Sequence, residues 1–237
     1  LARLGRSGRN AARDEREDLA LRRLGVVAEE LGRPVRLGKL EPQPLVGRLA
    51  EEGRVDPEQV FVAGPSIGGM MALRVACEAP DLIAGAAVAI AALPEGLDCP
   101  ADGPALPMLF LHGDADAIVP PEGGRIGGES ILIRDRGRVR SIDETVGRFA
   151  VRNGCGEVVE TALADRDPTD GSTVLQRVYQ DCAAPLIHYV VEGGGHTWPG
   201  SRPARLGGAL VGATNQDFSA TRALERFFLS LIDSSFP

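Results

Sequence analysis

The sequence predicts an α/β fold, and three observations carry that expectation. From Val55 onward, short apolar runs alternate with helical stretches, the pattern of strands joined by crossover helices. One run, Leu82 to Leu93, stays apolar for 12 residues, and up to Ala92 it suits a strand covered on both faces of a parallel sheet, although periodicity alone leaves a helix open. A third stretch, Gln59 to Ala63, is a β-branched and aromatic run that passes through glycines into a helical segment.

Taken in order, residues 1–40 are rich in Arg, Ala, Leu and Gly, with helical spacing at Leu19, Leu21, Leu24, Val27 and Leu31 broken by Gly25 and Gly32. A loosely held helix or two, partly disordered, is expected there. Pro42 and Pro44 mark a joint, and Leu45 to Glu52 reads as a short amphipathic helix ending at Gly53. Residues 1–53 thus form an atypical Arg/Ala-rich segment, and 54–237 the α/β domain. Within that domain the strand at Gln59–Ala63 leads into a helix from about Gly68 to Glu78, and further strands are expected at Pro107–His112 and Leu186–Val191. Ser141 and Glu144 form a capping box that opens a helix to about Arg152, stopped by Gly154. Val158–Leu163 and Thr173–Tyr179 could pair as a hairpin across Asp170-Gly171. A closing helix from Ser219 to Ile232 places Leu224, Phe227, Phe228 and Leu231 on one face.

Composition narrows the class. With 43% hydrophobic and 25% charged residues, 30 Gly and 17 Pro in 237, the chain is neither low-complexity nor collagen-like. Its longest apolar run falls short of the roughly 20 residues that span a bilayer, so no membrane partner is expected. The net charge is −7. Residues 1–40 are net basic, yet Asp14, Glu15, Glu17 and Asp18 interrupt the arginines and no aromatic residue interleaves for base stacking, so no nucleic-acid partner is expected either. All ten aromatic residues lie after position 60 and the first methionine is Met70, so the chain is expected to be a fragment or processed form. It carries no signal peptide, which therefore says nothing about secretion.

The chemistry is concentrated at Val62-Ala63-Gly64-Pro65-Ser66-Ile67-Gly68-Gly69, a strand running into G-x-S-x-G and then a helix. A serine hydroxyl is a weak nucleophile. It must stand clear of the backbone, near a base, and above a helix N-terminus whose amides can receive negative charge. Gly64 and Gly68 would leave room for the sharp turn and Gly69 for close approach of the helix. In hydrolases built this way an acid follows the serine after a later strand and a histidine comes last. Asp116, in His112-Gly113-Asp114-Ala115-Asp116, fits the acid, with Asp114 as its rival; His196, in Gly193-Gly194-Gly195-His196-Thr197-Trp198-Pro199-Gly200, fits the base. Of the other histidines, His112 ends a strand and reads as a structural hydrogen-bonding residue, and His188 lies within a strand as a core or face residue. Three scattered histidines and four cysteines without C-x-x-C spacing offer no metal site, and a serine hydrolase of this kind needs no cofactor.

At these residues the chain resembles secreted esterases of the polyhydroxybutyrate depolymerase and feruloyl esterase type, within the α/β-hydrolases. The likeness runs over about 54–232, through Arg54-Val55-Asp56-Pro57, the serine segment to Met71, Cys77-Glu78-Ala79-Pro80-Asp81, His112-Gly113 to Asp116, Glu144-Thr145-Val146, Asn153-Gly154-Cys155, Glu192 to Gly200, and Asp217-Phe218. The resemblance implies that 54–237 is the C-terminal portion of a hydrolase catalytic domain, with Ser66 the nucleophile, Asp116 the acid, His196 the base and Trp198 part of the substrate surface. The Ile67 amide would stabilise the oxyanion. Trp198 could equally be a loop-packing aromatic. Members of that family carry further strands and a His-Gly oxyanion loop before the serine. Residues 1–53 do not match these, so the N-terminal strands are expected to be missing, which leaves a catalytically impaired fragment acting as a non-catalytic module as an alternative. The expected activity is cleavage of polyhydroxyalkanoate polyester or a related ester through an acyl-enzyme, with feruloyl or acetylxylan esterase as the alternative and a peptidase or lipase possible on the same fold.

The four cysteines permit three pairings. Cys155 with Cys182, across the expected hairpin, and Cys77 with Cys99 are favoured over free thiols. The resemblance and the even count point to an oxidising, extracellular or periplasmic setting. Oligomeric state is not legible.

Overall fold

A computed structural model describes residues 43–127, 136–203 and 211–233. The helices expected within residues 1–40 lie outside them. Among the described residues, a six-stranded mixed sheet has the order β1-β2-β3-β8-β7-β6, with β1 Phe61–Pro65, β2 Gly85–Ala89, β3 Met108–Gly113, β6 Val158–Ala162, β7 Thr173–Tyr179 and β8 Leu186–Glu192. Strands β1, β2, β3 and β8 run parallel, and the β6–β7 hairpin continues the sheet antiparallel from β8. A separate two-stranded ribbon pairs β4 Gly124–Arg125 with β5 Arg138–Val139. The helices are α1 Gln43–Glu51, α2 Ile67–Glu78, α3 Ile142–Arg152 and α4 Ala220–Asp233.

Burial explains the apolar strands. Ala86, Val88, Met108 and Phe110 face α2 and α3 through Leu73, Ala76, Val146 and Phe149. Their neighbours Ala87 and Leu109 face α4 through Leu224, Phe227 and Phe228. Every residue of β2 and β3 is buried, as a sheet covered on both faces requires. Phe61 stacks on Phe228 with ring centroids 4.7 Å apart, fixing α4 beneath β1. At α3 the Ser141 hydroxyl accepts the Glu144 amide at 3.0 Å, as the capping box predicts.

Several boundaries shift for local reasons. Pro57–Gln59 forms a 3₁₀ turn capped by the Asp56 carboxylate, so the first strand begins at Phe61 rather than Gln59. Within Leu82–Ala92 only Gly85–Ala89 is strand, since Pro80–Leu82 is another 3₁₀ turn and Ile90 adopts φ 45°, which no strand allows. The expected hairpin forms, with its first strand ending at Ala162 rather than Leu163, and in its connection the Asp170 carboxylate accepts the Ser172 amide and the distant Gln216 amide.

Two disulfides join Cys77 to Cys99 and Cys155 to Cys182, the favoured pairing. Closing loops of 22 and 27 residues is worth about 3 kcal/mol each on a chain-entropy account. The first ties the end of α2 to the segment after β2; the second ties the end of α3 to the entry of β8. They suit an oxidising environment. Among the described residues no helix is long and apolar enough to cross a membrane.

Candidate active site

Ser66, Asp116 and His196 follow the carboxyl ends of β1, β3 and β8, three strands that run parallel, so all three residues emerge at the same edge of the sheet. Ser66 joins β1 directly to α2 with φ 55° and ψ −120°, a conformation that non-glycine residues rarely adopt. Two contacts hold it there. Its amide donates to the Ala89 carbonyl at 2.9 Å, and its carbonyl accepts the Met70 amide at 2.9 Å to start the helix. A Cβ on Gly64 would sit 2.4 Å from the Gly68 carbonyl carbon, so the turn tolerates only glycine at position 64. Gly68 differs from expectation: a Cβ there would find nothing closer than Pro65 Cδ at 3.6 Å, and the crowding is relieved from the Gly64 side.

The three side chains meet. His196 Nε2 lies 3.0 Å from Ser66 Oγ, and His196 Nδ1 lies 2.7 Å from Asp116 Oδ2. A carboxylate only accepts, so Nδ1–H donates to Asp116, leaving Nε2 free to accept the serine proton. Asp116 is buried, and its other oxygen, Oδ1, accepts the Ile118 and Val119 amides at 2.8 Å each, which fixes the carboxylate in one orientation. Ile67 is the first residue of α2, so its amide has no partner within the helix, while the residue is 63% exposed next to Ser66.

Asp114, the rival acid, does not reach the imidazole; its Oδ1 accepts the Gly193 amide at 2.6 Å, pinning the start of the histidine loop. Trp198 packs against Ala89, Ile90, Leu111 and Ala220, and its indole N–H donates to Thr221 Oγ1 at 3.0 Å, so it fastens the histidine loop to α4. His188 is buried beside His112, which itself lies against the Ala91 carbonyl. Burial lowers the His112 pKa from 6.5 to about 4, against the raising effects of that carbonyl and of Asp116. Burial, then the neighbouring His112 and Arg177, likewise hold His188 well below the usual range. Both imidazoles are therefore neutral near neutral pH. With His112 Nε2–H donating to Ala91, Nδ1 accepts from His188 Nε2–H across 3.3 Å.

Sequence reasoning missed the support under His196. The backbone of 211–215 carries the histidine loop, since His196 N–H donates to Val211 O at 2.6 Å, Gly195 N–H to Ala213 O at 3.1 Å and Thr197 Oγ1–H to Ala213 O at 2.7 Å. The one signal for it was Asp217-Phe218, two residues further on. Among the described residues no group of three or more His, Cys, Asp or Glu side chains could hold a metal ion. A cavity of about 370 Å³ beside Phe61, Pro107 and Pro185 opens at the strand starts, the end of the sheet opposite Ser66.

No family model matches the chain. It is 36% identical over 246 residues to "Putative esterase NocK" of Nocardia uniformis subsp. tsuyamanensis, an alignment covering 94% of this chain and 68% of that protein. Among solved structures, an acetyl xylan esterase from Aspergillus awamori superposes with a TM-score of 0.45 at 16% identity, covering 77% of this chain and 64% of that one, a likeness too low to bear on function.

Proposed function

The chain belongs to the same esterase family as NocK, and from that premise we propose that it is a serine carboxylic-ester hydrolase working through an acyl-enzyme. The observation that carries the reading is the unbroken run from Asp116 Oδ2 through both nitrogens of His196 to Ser66 Oγ, with gaps of 2.7 and 3.0 Å.

In this reading Ser66 Oγ attacks the ester carbonyl carbon while His196 Nε2 takes the hydroxyl proton. The carbonyl oxygen becomes an oxyanion that accepts the Ile67 amide at the positive end of α2. The imidazolium, stabilised by the Asp116 carboxylate, passes its proton to the departing alkoxide as the C–O bond breaks, giving a free alcohol and a Ser66 ester. Water then repeats the sequence. His196 takes one of its protons, the hydroxide oxygen bonds to the acyl carbon, and the proton returns to Ser66 as the carboxylic acid leaves. No redox or metal chemistry is required by these steps.

The substrate proposed is a hydroxyalkanoate polyester or a related acetyl or phenolic plant-wall ester, following the resemblance of residues 54–232, which would make 54–237 the catalytic domain. The side chain of Ile67, exposed beside Ser66, offers the incoming ester an apolar contact. The two disulfides support work in an oxidising compartment. Hydrolysis of p-nitrophenyl butyrate by the purified chain, abolished in Ser66→Ala, is the expected result; equal rates for the two proteins would refute the serine mechanism. Release of soluble acids from polyhydroxybutyrate, compared with release of acetate from acetylated xylan and ferulate from a feruloyl ester, separates the substrate classes.

A further inference from the structure

We infer that Asp217 is a positioning residue for His196, acting through a buried polar latch that locks the segment carrying the histidine loop onto the tip of the β6–β7 hairpin. The inference rests on the reading of His196 as the base.

Among the described residues, the histidine loop after β8 is tied by hydrogen bonds to residues 211–216. Beyond the bonds to Val211 and Ala213, Gly200 N–H donates to Asn215 O at 2.8 Å and Gln216 Nε2–H donates to Ser201 O at 2.9 Å. Its glycines press the backbones together: a Cβ on Gly195 would lie 2.0 Å from Val211 O. A shift of the 211–216 segment is thus transmitted directly to the imidazole.

What holds that segment is a set of side chains. Asp217 is buried, and its Oδ1 accepts the backbone amides of Arg166 at 2.7 Å and Asp167 at 3.2 Å, both in the hairpin connection. Its Oδ2 accepts Asn215 Nδ2–H at 2.9 Å, and Asn215, fully buried, also donates to Ser172 Oγ at 3.0 Å. Asp170 closes the arrangement from the other side: its Oδ2 accepts the Gln216 amide at 2.7 Å and its Oδ1 takes Ser172. Burial pushes the Asp217 carboxyl up, but the hydrogen bonds from Asn215, Arg166 and Asp167 and the Arg166 charge outweigh it and hold the group below the usual carboxylate range. The network is an ionised acceptor whose donors come from two segments 50 residues apart in sequence. None of these side chains bonds Ser66, Asp116 or the His196 ring, so the latch acts on geometry alone.

Asp217→Asn keeps the volume and replaces one accepting oxygen by a donor that the two backbone amides or Asn215 cannot use. It is expected to lower kcat for p-nitrophenyl butyrate by about tenfold or more, with KM within about twofold of wild type, the scale set by misplacing one reacting group. The downfield proton resonance of His196 Nδ1–H bonded to Asp116 should broaden or vanish in the same variant. Asp170→Asn, on the half-buried side of the latch, should give the same pattern more weakly and covers the case in which Asp217→Asn fails to fold. Val146→Ala on α3, packed in the core with Phe110 and Phe149 and bonded to none of the latch residues, lowers stability without touching the latch and should keep wild-type kcat. An unchanged kcat and an unchanged His196 resonance in folded Asp217→Asn or Asp170→Asn would overturn the inference while leaving the base assignment intact. A wild-type chain without Ser66-dependent hydrolysis would overturn that assignment, and the inference with it.

Discussion

The Asp114 carboxylate accepts the Gly193 amide at 2.6 Å, so the two aspartates of one loop divide their work. Asp116 faces the imidazole, while Asp114 joins the end of β3 to the loop beyond β8. Asp116→Asn would present an amide that can donate to Nδ1 and stabilise the wrong tautomer, so kcat should fall by about 10⁴-fold. Asp114→Asn keeps an acceptor for Gly193 and should cost only about tenfold or less. Steady-state kinetics on p-nitrophenyl butyrate would check both; equal losses would mean that the two carboxylates share the task.

The turn at Ser66 yields a contrasting pair. Gly64→Ala would drive a methyl into the backbone at Gly68, and the chain is expected to lose soluble expression or melt far below wild type. Gly68→Ala meets only ordinary contacts and replaces a poor helix former near the start of α2, so stability should hold or rise by up to about 1 kcal/mol. Thermal denaturation of the two variants gives the comparison.

How legible was this in the sequence? The parallel strands and the serine turn could be read because each is local: a strand and a G-x-S-x-G turn are adjacent in sequence, and α4 announces itself by spacing. The choice between Asp114 and Asp116 was not local, since it depends on how β3 and β8 align to bring residues 80 apart within 2.7 Å. Ile90 carried no sign of its positive φ, because the group its amide meets, the Leu111 carbonyl, belongs to the neighbouring strand. The latch at Asp217 was likewise hidden: its partners Arg166 and Asp167 lie in the hairpin connection, about 50 residues earlier in the chain.

The paired histidines set a pH dependence. In the folded chain His112 titrates at about 4, and in the unfolded chain near 6.5. Between these values the unfolded state binds more protons, so stability is full above about 6.5 and falls as the pH drops toward 4. The loss from His112 is on the order of 3 kcal/mol, and His188, shifted the same way by burial, adds to it. Urea unfolding between neutral pH and pH 4 should show the midpoint falling. His112→Gln, which takes up no proton, should flatten the slope; an identical slope in that variant would assign the acid sensitivity to other groups.

Ser66 itself is expected to carry the acyl group. Acid quenching of the chain during turnover of p-nitrophenyl butyrate, followed by mass analysis of the peptide containing Ser66, tests this. A butyryl adduct on Ser66 that appears with the burst of nitrophenol, persists longer in His196→Ala than in the native chain once formed, and is absent in Ser66→Ala is the predicted result. Hydrolysis that proceeds in Ser66→Ala, or an adduct on another residue at the same rate, would contradict it.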